Sequence, residues 1–517
     1  MMNGKSLFSA AIAAGVVGFI SFAACGATIS YTETQTVSTP LAVTEATTID
    51  VASGKTVTFD ASAVISGASA ITKTGAGKLL ICSANGGFSG GFVIEKGYLI
   101  ASNATALGTA AVEVKGHVDG TTDDCILGLW GTGKESKNGI TYANAVNVTG
   151  NSTIDYPALI VYGQGAKLTG KVTAAKDFCF YEDHDSTKAI SSAYSDRANY
   201  VTSMTFGEVE VGGMLFHDGW TTFIFGGKVT APCAAFPWKR SNRFSGSQSN
   251  HMSAYVFNAA SEIGIITNGN HNITLGANSV FNGTKYVIAE NVTARSNVSL
   301  AGHPQRFESV NTPATTSADV LKASTTRAIS NNGSATTITI DGGGEMPAGA
   351  TEYRATSFET LSGNLSLVID AYEGFTQTFS GRTNTMNGAI TVTKGALEIG
   401  PNSLFNALTS IEVGENGSLT VDAARCFPMV TSLKVNGRLC ATSADAALFN
   451  AGGDVAVELG ENGFLDLGTC MMVCKSLKVN GVAVGNVHLT HETNPEQLAE
   501  GTELWWARAR TRPSART

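Results

Sequence analysis

Charge is scarce in this chain of 517 residues, with Asp, Glu, Lys and Arg amounting to 15% of it. No block of Lys or Arg is long enough to follow a phosphate backbone and the net charge is -8, so nucleic acid is not an expected partner. Proline is equally thin, at 11 residues. Beyond the first residues no apolar run reaches the roughly 20 needed to cross a bilayer as a helix, so the mature chain is expected to lack a transmembrane helix. Chemistry-bearing motifs are missing as well. Thr74-Gly-Ala-Gly-Lys-Leu79 lacks the first glycine of a phosphate-binding loop, where Thr72 stands, and its magnesium-binding hydroxyl, where Leu79 stands. His488-Leu-Thr-His-Glu492 has its second His and its Glu transposed relative to zinc-peptidase helices. Zinc needs close paired ligands, and Cys470 with Cys474 has no second pair nearby. The glycine-and-aspartate nonapeptide of calcium-binding rolls is absent. The residues therefore suggest no catalytic group, metal site or cofactor.

What is abundant points one way. Gly reaches 58 residues, Thr, Ser and Asn dominate the polar remainder, and hydrophobic residues make up 43%. β-Branched residues suit pleated strands, while Gly and Asn tolerate the positive φ of tight turns. So much apolar content excludes a chain that stays unfolded for want of burial. The length exceeds one ordinary globular core, so the chain needs several cores or one core extended along an axis.

The first residues have the form of an export signal. Lys5 precedes an apolar stretch from Leu7 to Ala24, broken only by small residues, which ends at Ala23-Ala24-Cys25-Gly26-Ala27. One cleavage leaves Thr28 near the mature N-terminus, and the other leaves Cys25 as a lipid-modified first residue. Phe22 stands where a lipobox opens on an aliphatic residue, which disfavours the lipid anchor. Without Cys25 eight cysteines remain: Cys82, Cys125, Cys179, Cys233, Cys426, Cys440, Cys470 and Cys474. An even count in an oxidising compartment is compatible with disulfides, and equally with small apolar residues buried in a core.

Two segments near the C-terminus repeat in the same order. Val413-Gly-Glu-Asn-Gly-Ser-Leu419 returns as Leu459-Gly-Glu-Asn-Gly-Phe-Leu465, and Ser432-Leu-Lys-Val-Asn-Gly437 returns unchanged as Ser476-Leu-Lys-Val-Asn-Gly481. A period near 44 residues is either one coil or two coils of about 22. Within these units the apolar residues alternate, as at Ile390 and Val392, Leu433 and Val435, or Leu465 and Leu467. Period two puts one face of a strand inward and leaves the other wet. Asn436-Gly437 and Asn480-Gly481 stand between strands, where Asn-Gly serves tight turns. Taken alone these pairs suggest antiparallel hairpins, but the long period and constant strand order favour coils stacked like onto like.

Residues 71 to 118 carry a more specific pattern. They run through Ile71-Thr-Lys-Thr-Gly-Ala-Gly-Lys-Leu-Leu80, Phe88-Ser-Gly-Gly91, Val93-Ile-Glu-Lys-Gly-Tyr-Leu-Ile100, Ala106-Leu-Gly108 and Val112-Glu-Val-Lys-Gly116. This resembles the autotransporter-associated β-strand repeat, with its Lys-x-Gly-x-Gly strand start, Phe-Ser-Gly-Gly turn and Leu-Gly corner. A degenerate second copy begins at Phe379-Ser-Gly-Arg382 and continues through Ile390 to Ile399. The resemblance implies a parallel β-helix on an exported bacterial surface protein, often a passenger domain, and implies no catalytic residues. The expected fold is all-β: a right-handed parallel β-helix (β-solenoid) with irregular loops in the middle third.

The expected divisions are a signal peptide over 1–27, an N-terminal solenoid over 28–120, an irregular solenoid or inserted segment over 121–378, C-terminal solenoid repeats over 379–490, and a disordered tail over 491–517. The chain after Val487 is too short for a translocator barrel. Tyr181, Glu182, Asp183, His184 and Asp185 form the one dense acidic cluster beside a histidine and an aromatic ring. They are a candidate ligand-contact loop, able to offer oxygens to calcium or to contact a sugar, with a solvated acidic loop as the plainer account. The expected role is structural, adhesive or self-associating, without catalysis, at the outer surface or beyond it. Its partners would be cell-surface or matrix components, polysaccharide or further copies of itself. The competing expectation is a β-helix enzyme or binding module for extracellular polysaccharide.

Overall fold

The computed structural model describes residues 26–131, 139–153, 155–162, 165–183, 203–218, 222–236, 254–268, 272–281, 283–288, 297–311, 328–442, 449, 455–467, 471–484, 489–500 and 502–506. Among them there is no helix, and the ladders are almost all parallel. The chain divides into two compact units, residues 1–263 and 264–517.

In the first unit two ladders run through the coils and a third accompanies them over part of their length. Ladder A stacks Ala27–Tyr31, Thr47–Val51, Ile71–Thr74, Phe92–Ile94, Val112–Val114, Val146–Val148, Val172–Ala174 and Val209–Val211. Ladder B stacks Gln35–Val37, Thr56–Phe59, Lys78–Ile81, Gly97–Ala101, Cys125–Trp130, Leu159–Tyr162, Phe178–Asp183 and Met214–Asp218. Ladder C includes Leu41–Val43 on Ile65–Gly67, and further on Thr141–Tyr142, Lys167–Leu168, Ser203–Phe206, Thr222–Phe225 and Ala254–Phe257. This is a parallel β-helix. Ladders A and B pass residue 120 without interruption, because Val112–Val114 pairs directly with Val146–Val148 and Gly97–Ala101 with Cys125–Trp130.

Alternation explains the core. Ile49, Val57, Ile71, Leu79, Ile94 and Leu99 point inward and are fully buried. In-register pairing stacks like positions, so Ile29, Ile49, Lys73 and Ile94 form one inward column that contains a lysine. At the corner between ladders A and B the chain passes so close to its neighbour that a Cβ on Gly97 would lie 2.4 Å from the Gly75 oxygen, and φ there is +76°. The Lys-x-Gly-x-Gly pattern therefore meets a steric demand of stacked corners.

In the second unit ladder D contains Asn272–Leu275, Asn297–Ser299, Thr383–Met386, Leu404–Phe405 and the first halves of Ala328–Ile340 and Thr360–Asp370. Ladder E runs through Thr284–Ile288, Gln305–Asn311, the second halves of those two long strands, the first halves of Ala389–Ile399 and Ser410–Val421, then Ser432–Val435, Ala456–Leu459 and Ser476–Val479. Ladder F stacks Tyr353–Ser357, Phe375–Phe379, the second halves of Ala389–Ile399 and Ser410–Val421, Arg438–Ala441 and Phe464–Asp466. Ser432 pairs with Ala456, and Ala456 with Ser476. The 44-residue period thus spans two coils of about 22 residues, an ordinary coil length for this architecture.

The repeated hexapeptide ends in two different ways. Asn436-Gly437 is a corner of the continuing solenoid, whereas Asn480-Gly481 is a two-residue hairpin that folds Val482–Val484 back antiparallel onto Ser476–Val479. Both residues of the second pair have positive φ, 51° and 76°, as a hairpin of that length requires. The chain expected as a tail is built onto the last coil as far as Trp506. Glu503–Trp506 pairs with Met471–Cys474, and the Gln497 oxygen accepts from the Leu465 amide at 2.8 Å. The open edge of that coil supplies backbone groups that need partners.

Candidate functional site

Residues foreseen as a contact loop take a different position. Tyr181, Glu182 and Asp183 belong to the strand Phe178–Asp183. Tyr181 is buried, in a cluster with Ile100, Ile126, Ile160 and Tyr162 on the outward side of ladder B. His184, Asp185 and Cys25 lie outside the described residues, as do residues 1–25 of the segment expected as a signal over 1–27. That outward cluster breaks the in-out alternation expected of a solenoid. Leu127, Leu129, Leu159 and Val161 fill the interior while Ile126 and Ile160, on the opposite face, are equally inaccessible.

A different corner, in the second unit, brings carboxylates, cations and phenols together. Strand pairing sets Lys285 opposite Ser309, next to Glu308, and Lys285 Nζ lies 3.1 Å from Glu308 Oε1. Arg306, two positions earlier on the same strand face, pairs through Nε with Asp341. Asp341 also accepts from the Gly343 amide at 2.8 Å, and the Glu308 backbone oxygen accepts from the Gly342 amide at 3.0 Å. Gly342, Gly343 and Gly344 all have φ between 72° and 88°. A Cβ on Gly343 would come within 2.9 Å of Glu308 Cγ, so glycine is what lets this turn close over the carboxylate. Tyr353 sits with its ring 5.4 Å from Lys285 Nζ and stacks on Phe375, which also meets Tyr372 edge-on. Tyr372 Oη is buried without a hydrogen-bond partner among the described residues.

Electrostatics limit what this corner can do. Burial pulls the Lys285 ammonium down, but hydrogen bonding to Glu308 and the neighbouring Tyr353 outweigh it and leave the group above its usual range. Burial, reinforced by Tyr353 and Glu308, raises the Tyr372 phenol. Both groups therefore keep their protons at neutral pH and act as donors, where a general base would need its pKa brought near the working pH. The arrangement suits hydrogen bonding to hydroxyl or carboxylate groups better than proton abstraction.

In the first unit Lys73 is a fully buried cation. Its Nζ donates to the oxygens of Thr74, Gly75 at 2.7 Å and Lys96 at 3.1 Å, tying two successive corners together. Burial lowers its pKa to about 8, against the pull of Asp50. The seven described cysteines are all free thiols. Among the described residues no group of three or more His, Cys, Asp or Glu is placed to hold a metal ion.

With these coils in view, the comparison with known families is specific. Residues 71–101 and 376–399 match the passenger-associated-transport-repeat family. The first match begins on ladder A with Ile71–Thr74 and ends on ladder B with Gly97–Ala101, so it takes in the glycine corners and Lys73. The second begins within Phe375–Phe379 and ends with Ile399 on the same ladder F, one coil on. The repeat is of the autotransporter-associated kind and carries with it a passenger-type solenoid. No curated protein and no solved structure matches the chain.

Sequence reasoning missed the corner around Glu308 because its members are scattered from Lys285 to Tyr372 and only coil stacking gathers them. The one local signal was Asp341-Gly-Gly-Gly344, a run of glycines after a carboxylate.

Proposed function

We propose that this chain is an exported passenger that acts at the cell surface as a structural or adhesive scaffold, without catalysis. The observation that carries the reading is the coincidence of the two passenger-repeat matches with complete coils of a parallel β-helix. Stacked coils satisfy their backbone groups along the axis and leave the outward row of each strand to solvent. On ladder A that row begins Thr28, Thr48 and Thr72, a surface of hydroxyls suited to contact with other envelope components. The donor character of Lys285 and Tyr372 supports a role without acid-base chemistry. Protease shaving of intact cells that produce the chain tests the location. Peptides from residues 28–506 should be released without lysis, and full protection in intact cells would refute a surface role.

The corner around Glu308 favours a second reading, recognition of a saccharide. Arg306 and Lys285 are partly exposed donors, and the unpartnered Tyr372 hydroxyl is a third polar group facing the same corner. Calorimetric titration with oligosaccharides of the producing cell's own envelope would support it if binding is seen and is lost in Arg306→Gln and Tyr372→Phe. Equal binding by the variants, or none by the parent, would set it aside.

A further inference from the structure

We propose that the outward face of ladder E over residues 389–479 is a self-complementary docking surface, on which a second copy of this chain sits about a two-fold axis. The inference deepens the surface-scaffold reading by naming a partner, and rests on it only for its setting. Five consecutive strands present two outward columns there. One is Ala389, Ser410, Ser432, Ala456 and Ser476, all small; the other is Thr391, Glu412, Lys434, Glu458 and Lys478. Glu412, Lys434 and Lys478 are exposed, and Lys434 Nζ lies 3.1 Å from Glu412 Oε1. The charges thus alternate from coil to coil, in step with the two-coil period of the sequence repeat.

An alternating row of four has a geometric property. Turned about a two-fold axis that lies in the interface and runs across the row, parallel to the strands, it meets itself reversed: Glu412 faces Lys478 of the other copy and Lys434 faces Glu458, so every facing pair is opposite in sign. A parallel, in-register pairing would set Glu412 on Glu412 and Lys434 on Lys434. An isologous contact is also the commonest way for like chains to associate. The small residues of the adjoining column let two such sheets approach without a bulky side chain between them. The patch is about 13 Å by 19 Å, on the order of 250 Å² per copy, well under the ~800 Å² of a stable pair. The association is accordingly weak in solution and gains its strength where copies are held side by side.

The test uses the full chain and a charge-swapped variant, Glu412→Lys, Lys434→Glu, Glu458→Lys, Lys478→Glu, which keeps the alternation within the chain and hence its folding. Sedimentation velocity at about 100 μM and about 20 mM salt should show reversible dimers of the parent, weakened about tenfold or more at about 0.5 M salt. The swapped variant should self-associate equally well. Mixed one to one, with one partner fluorescently labelled, the two should not co-associate, because the two-fold pairing then sets like on like. A monomeric parent at low salt, a salt-independent dimer, or free mixing of parent and variant would overturn the proposal. Protease shaving of cells carrying the variant distinguishes this failure from a failure of the surface reading.

Discussion

Gly437 and Gly481 end identical hexapeptides, and substituting each by alanine should cost stability for different reasons and in different amounts. At Gly481 the space around a Cβ is open, but φ is +76°. An alanine there pays only the left-handed backbone penalty, about 1–2 kcal/mol. At Gly437 no positive φ is involved; a Cβ would lie 2.1 Å from the Gly414 oxygen and 2.3 Å from the Gly417 oxygen. Both are main-chain atoms of the coil beneath and cannot rotate away, so the cost is that of overpacking, about 3 kcal/mol or more. Asparagine separates the two mechanisms. It tolerates the left-handed region, so Gly481→Asn should recover part of the loss, whereas Gly437→Asn should be at least as damaging as alanine. Because coils touch only their neighbours, the readout should be local. Hydrogen exchange should show protection lost over 410–441 for Gly437→Ala and over 476–484 alone for Gly481→Ala. Equal losses at the two sites, or no recovery with Asn at 481, would refute the steric argument.

Three further outcomes follow from the buried polar groups. The folded state holds the Lys73 proton less tightly, with a pKa of about 8, than the unfolded chain at the ordinary 10.5. The unfolded state therefore binds more protons between those values and stability rises with pH across that window, by on the order of 3 kcal/mol at most. Lys73→Met should flatten the rise in denaturant midpoint between pH 8 and 10.5, and an unchanged slope would contradict the assignment. Gln377 is fully buried and bonds both the amide and the oxygen of Val310, at 3.1 and 2.8 Å. Gln377→Leu should cost about 2 kcal/mol or more, since each orphaned backbone group carries a penalty of about 1–3 kcal/mol, and a neutral effect on thermal unfolding would refute it. Burial raises the Cys125 thiol to about 11 and Cys426 further still. Among the described cysteines, an aromatic disulfide reagent at pH 8 should therefore label Cys82, Cys233 and Cys440, which are partly exposed, well before Cys125, Cys179 and Cys426. Equal rates at Cys426 would indicate that the coil opens there.

The coil was legible because it is local. Alternation at Ile390 and Val392 or Leu433 and Val435 fixes which side chains point inward, and Lys-x-Gly-x-Gly marks a corner whose steric cause lies one coil below. Whether the 44-residue period was one coil or two was not legible, since only the pairing of Ser432 with Ala456 decides it. Nor could Asn-Gly distinguish a corner from a hairpin, because the deciding contact at residue 437 is with backbone some twenty residues away. The corner around Glu308 and the lysine in the core column depend on which residues stack, a relation between coils that no single segment contains. The apolar outward face of ladder B misled the reading of Tyr181, since a strand buried on both sides carries no alternation to detect.

The alternation of Glu412, Lys434, Glu458 and Lys478 also constrains how such a chain can lengthen. Duplicating one coil in this stretch would place two glutamates or two lysines on adjacent strands about 4.8 Å apart, a repulsive pairing at the point of duplication. Duplicating two restores the sequence of signs. Growth in this part of the gene is therefore expected to proceed in even numbers of coils, and a descendant with an odd insertion should show a compensating change of charge at its boundary.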